Sequence, residues 1–141
     1  MLVLDANILI RAVLGSRVLF LLRKFSETSE FVATDSAFYE ARKELPGILA
    51  RRGRSAGPAM EALDLLPILI QTVELDRYAP FEAIARRRLF RRDENDWPIL
   101  AAALLLNCPI WTEDTDFFGC GVPTWTSDRI EIYLDPTPPP L

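Results

Sequence analysis

The chain has 141 residues, 50% of them apolar, which suffices for one domain with a buried core and excludes an intrinsically disordered chain. It carries a net charge of −4 and no histidine, which excludes Ser-His-Asp triads, histidine acid–base pairs and histidine-rich zinc sites. Cys108 and Cys120 are too few for a disulfide scaffold, no apolar run reaches the roughly 18 residues of a membrane span, and nothing before Asp5 reads as a signal peptide, so a cytoplasmic protein is expected.

Leu2 to Leu4 read as a short buried strand, and Asn7 is placed to cap a helical stretch from Ile8 to Phe25 with a break near Gly15-Ser16. Phe31 to Thr34 form a second strand. Asp35 or Ser36 then caps a helix over Ala37 to Leu45, with Pro46-Gly47 as its stop. Arg51 to Gly57 read as a loop, and Pro58 opens a helix to Leu66 that Pro67 ends. Ile68 to Leu75, rich in branched residues, predicts a third strand, and Pro80 opens a helix to about Phe90. Pro98 stands in the first turn of a helix capped by Asn95 or Asp96 and ending near Asn107. That helix is apolar nearly all round, so it belongs in the core. Pro109 to Thr112 give a fourth strand, and Ile130 to Leu134 suggest a last one. The closing residues 136–141 are proline-rich and read as a loose tail behind a domain spanning 1–135. Strands and helices alternate throughout, which predicts a single α/β domain with a mainly parallel sheet.

In such sheets the functional crevice lies outside the carboxyl ends of the strands. Asp5 directly follows the first strand. Asp114 follows the fourth, with Asp116 two residues on. Glu40 lies early in the helix after the second strand, and Asp96 heads the apolar helix. Taken singly, Asp96 and Asp114 could be helix caps worth about 1 kcal/mol each, and Glu40 a solvated partner of Lys43. Asp5 is harder to explain that way, because a carboxylate at the mouth of a core strand loses hydration without a packing gain. Two carboxylates about 4 Å apart repel by roughly 4 kcal/mol at an effective dielectric near 20. With only Lys24 and Lys43 in the chain, a convergence of acids would be held by a hard cation, Mg²⁺ or Mn²⁺, which takes oxygen ligands and activates water for phosphodiester hydrolysis.

The segments LDANILI, TDSAFYEA, DENDWPILAAALLLN and IWTEDTDFFG, in this order over positions 2 to 119, resemble the PIN domain, a nuclease fold common among VapC-type toxins. The resemblance implies a three-layer α/β/α fold and a Mg²⁺- or Mn²⁺-dependent endoribonuclease, often dimeric and often silenced by a partner antitoxin. It assigns Asp5, Glu40, Asp96 and Asp114 as catalytic metal ligands, Asp116 as an extra acid, and Asn7 and Thr112 as supporting residues. Asp93 is a second candidate for the position given to Asp96. Antitoxin docking would fall on the helix faces around Leu19 to Leu22 or the rim at Phe117-Phe118.

Ten of the sixteen basic residues lie in two clusters, Arg42, Lys43, Arg51, Arg52 and Arg54, and Arg86, Arg87, Arg88, Arg91 and Arg92. They are either solvated helix faces or phosphate contacts, with Arg51, Arg52, Arg54, Arg87 and Arg91 the candidates for RNA binding. Two other readings compete with the nuclease. A catalytically weak PIN module would keep the acids and bind nucleic acid or protein. A phosphoacceptor receiver or Asp-nucleophile phosphatase would need a late lysine, and none follows Lys43.

Overall fold

The computed structural model describes residues 1–137 and 140; the tail expected at 136–141 therefore lies partly outside the described residues. Among these residues, five parallel strands form one sheet in the order β3-β2-β1-β4-β5: β1 (Leu2–Leu4), β2 (Phe31–Thr34), β3 (Gln71–Val73), β4 (Ile110–Trp111) and β5 (Thr124–Trp125). In register, Val3 sits between Val32 and Ile110, so β1 is the central strand. Leu2, Val3 and Leu4 are fully buried, as expected for a strand covered on both faces. Burying each contributes about 1.5–3 kcal/mol.

Among the described residues, eight helices accompany the sheet. α1 (Ala6–Leu14), α2 (Arg17–Lys24), α3 (Asp35–Arg51) and α4 (Gly57–Leu65) pack together as one layer. α5 (Leu75–Tyr78), α6 (Glu82–Arg88) and α7 (Trp97–Leu106) form the opposite layer, with α7 lying on β1 and β2. α8 (Ile130–Leu134) follows β5. This is the three-layer α/β/α arrangement. The chain runs outward from β1 through β2 to β3, then returns past β1 to β4 and β5. The strand order thus reverses between β1 and β4, which is where a crevice opens in a doubly wound sheet.

Several local expectations are corrected. Asp5, in extended backbone, caps α1 by accepting from the Ala6 N–H at 2.7 Å, which leaves Asn7 inside the helix with its amide free for other partners. Gly15 and Ser16 do separate α1 from α2. Thr34, not Asp35 or Ser36, caps α3 through the Ala37 N–H at 3.1 Å. Pro46 does not stop α3, which continues to Arg51. The reason is the buried stripe Ala37, Ala41, Leu45 and Leu49, spaced four apart, whose packing continues across the proline and outweighs its cost of about 3 kcal/mol. β3 is shorter than Ile68 to Leu75, because Leu66 to Ile68 turn as a 3-10 helix with Pro67 inside. The helix expected from Pro80 starts at Glu82 and ends at Arg88, after a 3-10 turn at Ala79–Phe81. Ile130 to Leu134 are helical, not a strand: Ile130 and Leu134, four apart, are buried while Ile132 is exposed. The fifth strand is the two-residue β5, paired with β4 through Ile110–Thr124 and Trp111–Trp125.

Candidate metal centre

Asp5 directly follows β1 and is 5% exposed. Its Oδ1 accepts from the Ala6 N–H, and its Oδ2 accepts from Thr112 Oγ1 at 2.8 Å and Asn7 Nδ2 at 3.1 Å. Thr112 is fully buried just beyond β4, so this bond ties the two strands at the reversal point. Thr112 Oγ1 also accepts from the Asp114 N–H at 2.9 Å, and Asp114 Oδ1 accepts from the Asp116 N–H at 2.9 Å. One chain of hydrogen bonds therefore runs from Asp5 through Thr112 to Asp114 and Asp116. Asn7 Oδ1 completes it from the other side by accepting from the Glu113 N–H at 3.3 Å.

The loop carrying Asp116 is held from outside. Arg92 Nη1 donates to the carbonyls of Thr115, Asp116 and Phe118 at 3.2, 2.8 and 2.5 Å. Asp96 arrives from a third direction, at the junction of the 3-10 turn Glu94–Asp96 and α7. Asp93 caps that turn by accepting from the Asn95 N–H at 3.0 Å, so it has a structural task of its own. Glu40 projects from α3 into a cleft of about 330 Å³ that Ser36, Asp93, Asn95 and Asp96 also line.

Carboxylate oxygens of Asp96, Asp114 and Asp116 lie within 4.8 Å of one another. Asp5 and Glu40 stand outside this close triad, but their charges reach it. Burial, chiefly, and then the charges of Asp5, Asp93, Asp114 and Glu40 push the Asp96 carboxyl up to about 8. Burial likewise raises Asp5, against the lowering effect of the Thr112 hydroxyl, and Asp114 adds to the rise. Glu40 is raised by desolvation, then by Asp5, Glu44 and Asp93. Asp96 Oδ2 is buried and has no hydrogen-bond partner among the described residues. A pair of ionised carboxylates at this spacing costs about 3 kcal/mol at an effective dielectric near 20. An all-oxygen donor set, mutually repelling, with one buried oxygen left unsatisfied, fits a hard divalent cation.

A family model of the PIN domain matches residues 3–135. The chain belongs to the PIN domain family. No curated protein matches it. PIN domains are generally nucleases and typically use divalent metals, in keeping with the acidic cluster of this one. Among the described residues, no helix is long and apolar enough to cross a membrane.

The basic clusters divide. In the second, Arg86 bonds Glu82 at 3.0 Å and lies over Trp97, Arg88 donates to the Cys120 carbonyl, and Arg92 holds the acidic loop. These guanidinium groups are taken up by contacts within this PIN domain. Arg87 is exposed, and Arg91 lies over the Phe90 ring. In the first, Arg42 pairs with Asp64 and Arg51 lies back toward Gly47. Arg52 and Arg54 line separate clefts. Phe117 is fully buried, which leaves only Phe118 of the suggested aromatic rim at the surface. The sequence does not single out Glu113 or the role of Arg92; the one signal for Glu113 is its position between Thr112 and Asp114.

Proposed function

We propose that this PIN domain is a Mg²⁺- or Mn²⁺-dependent endoribonuclease that hydrolyses RNA phosphodiester bonds at the acidic centre. The observation that carries the reading is the meeting of Asp96, Asp114 and Asp116 beside the buried Asp5, with Asp96 Oδ2 unsatisfied. Asp96, Asp114 and Asp116 would hold the cation, with Asp5 and Glu40 completing the catalytic set from β1 and α3. When bound, the cation polarises the phosphodiester and makes water acidic enough to attack at neutral pH.

The protein's own part is arrangement. Thr112 and Asn7 fix the Asp5 carboxylate, and the same Thr112 hydroxyl sets the backbone of Asp114. Glu40 and Asp96 line the same cleft, where they would orient an attacking water. Burial and the neighbouring acids push the Asp96 carboxyl up to about 8, so holding a cation there would displace its proton.

The test is incubation with single-stranded RNA and Mn²⁺, with and without EDTA, for the native chain and Asp5→Asn. Mn²⁺-dependent cleavage that Asp5→Asn loses supports the assignment; equal cleavage by the variant overturns it. Binding of Mn²⁺ and RNA without cleavage would favour a catalytically weak binding module. The resemblance further suggests a VapC-type toxin acting as a homodimer. Leu19, Leu65, Ile68 and Leu69 line an apolar groove between α2 and α4, with Leu65 and Ile68 exposed, that a second copy would cover. Ultracentrifugation tests the dimer. Growth arrest on expression, together with a small antitoxin gene alongside, tests the toxin.

A further inference from the structure

A second cleft lies apart from the one that Glu40 and Asp96 line. It has a volume of about 560 Å³ and opens between the end of α1, the start of α2 and the end of α3. Ile10, Leu14, Val18 and Ile48 line it with apolar surface, and three guanidinium groups, Arg11, Arg17 and Arg52, come to it from three different segments. None of its lining residues is acidic, in a chain whose net charge is −4. Arg17 is anchored, donating to the Ser127 carbonyl at 3.4 Å and lying 3.6 Å from Glu131. Arg11 and Arg52 have no ion-pair or side-chain hydrogen-bond partner among the described residues. Arg42, Arg86, Arg88, Arg91 and Arg92 are engaged with a carboxylate, rings or carbonyls; Arg11 and Arg52 are not, and they share one concavity with Arg17.

The cleft also connects to the acidic centre. Ser127 lines it, and the Ser127 N–H donates to Glu113 Oε1 at 2.7 Å. The Glu113 N–H in turn donates to Asn7, which binds Asp5. Along α1, Arg11 lies six residues beyond Asp5, about 9 Å by helical rise. Ser127, on the loop after β5, is the point where the cleft meets the residues around the acids. The passage of α3 through Pro46 matters here, since a helix ending at Leu45 would leave Ile48 and Arg52 elsewhere.

We propose that the Arg11–Arg17–Arg52 cleft is a backbone-binding subsite for single-stranded nucleic acid, holding phosphates that flank the scissile one. The inference rests on the nuclease reading for its substrate and adds where the strand runs. Guanidinium groups match phosphate oxygens in pairs, and the apolar floor suits sugar and base edges. Three cations spread over three segments fit a chain of phosphates better than a single small anion.

The experiment is fluorescence anisotropy of a labelled single-stranded RNA with the full chain in EDTA, over a range of salt. Native protein is compared with Arg11→Gln, Arg52→Gln, the double variant, and Arg42→Gln as a surface control away from the cleft. Each cleft substitution should weaken binding several-fold and reduce the slope of log K against log salt by about 0.7, the double by about 1.4. Arg42→Gln should match the native chain, and melting temperatures should stay equal because these side chains are exposed. An unchanged slope in the double variant overturns the proposal. So does an absence of RNA binding by native protein, or full displacement of RNA by millimolar inorganic phosphate, which marks a single-anion site. Mn²⁺-dependent cleavage with unchanged slopes removes the subsite and keeps the nuclease; slopes that shift as expected without any cleavage do the reverse.

Discussion

Replacing Asp96 by Asn should stabilise the metal-free protein, and by an amount that grows with pH. The folded Asp96 carboxyl is pushed up from an ordinary 3.8 to about 8, mainly by burial, then by Asp5, Asp93, Asp114 and Glu40. Between those two values the folded protein holds a proton that the unfolded chain has released. Stability is therefore lost as pH rises from about 4 to about 8, at up to about 1.4 kcal/mol per pH unit, and levels off above. Over the whole window that is at most about 6 kcal/mol. Asp96 keeps part of its surface toward solvent, so about half, roughly 3 kcal/mol, is the expected penalty at pH 8. Asn carries no charge at any pH and escapes it. In EDTA at pH 8, Asp96→Asn should melt roughly 10 °C above the native chain, and the gap should close toward pH 4.5. Mn²⁺ should raise the melting temperature of the native chain and leave that of the variant nearly unchanged. A variant that is less stable at every pH, or a gap that does not depend on pH, would refute the picture of a desolvated, crowded carboxyl.

Thr112→Val keeps the shape but removes the hydroxyl that serves both Asp5 and Asp114; urea unfolding should show a loss of about 1–3 kcal/mol, and Mn²⁺ should bind more weakly in calorimetric titration. Arg92→Ala frees the Asp116 loop from three carbonyl contacts; half-saturation by Mn²⁺ should rise while the melting temperature falls by only a few degrees, because Arg92 is exposed. Pro46→Ala should stabilise the fold by about 1–2 kcal/mol, since α3 already runs through this exposed position. A loss of stability in that variant would mean the proline serves a contact outside the helix.

The buried elements were the legible ones. β1, β2 and α7 are near-continuous apolar runs, and in each the run itself dictates burial whatever the neighbours do. Positions where tertiary packing overrides a local signal were not legible. Pro46 reads as a stop, and only the Leu45–Leu49 continuation of the buried stripe shows why the helix passes through it. Ile130 to Leu134 carry strand-forming residues, yet the site offers one buried face to Ile130 and Leu134, which a helix satisfies. The acids were visible as positions after strands, but their order of closeness was not. Asp116 joins Asp96 and Asp114, its N–H held by the Asp114 carboxylate, while Asp5 is spent on Ala6, Asn7 and Thr112. The arginines were visible only as clusters. Which of them face a cleft depends on where α3 ends and where loop carbonyls lie, neither of which charge counts encode.

The most direct measurement is anomalous diffraction from a crystal of the native chain soaked in MnCl₂. A manganese peak between the carboxylates of Asp96, Asp114 and Asp116, absent from an Asp114→Asn crystal treated alike, is the expected result. Bare, metal-free acids at saturating Mn²⁺, or a peak bound elsewhere on the surface, would contradict it.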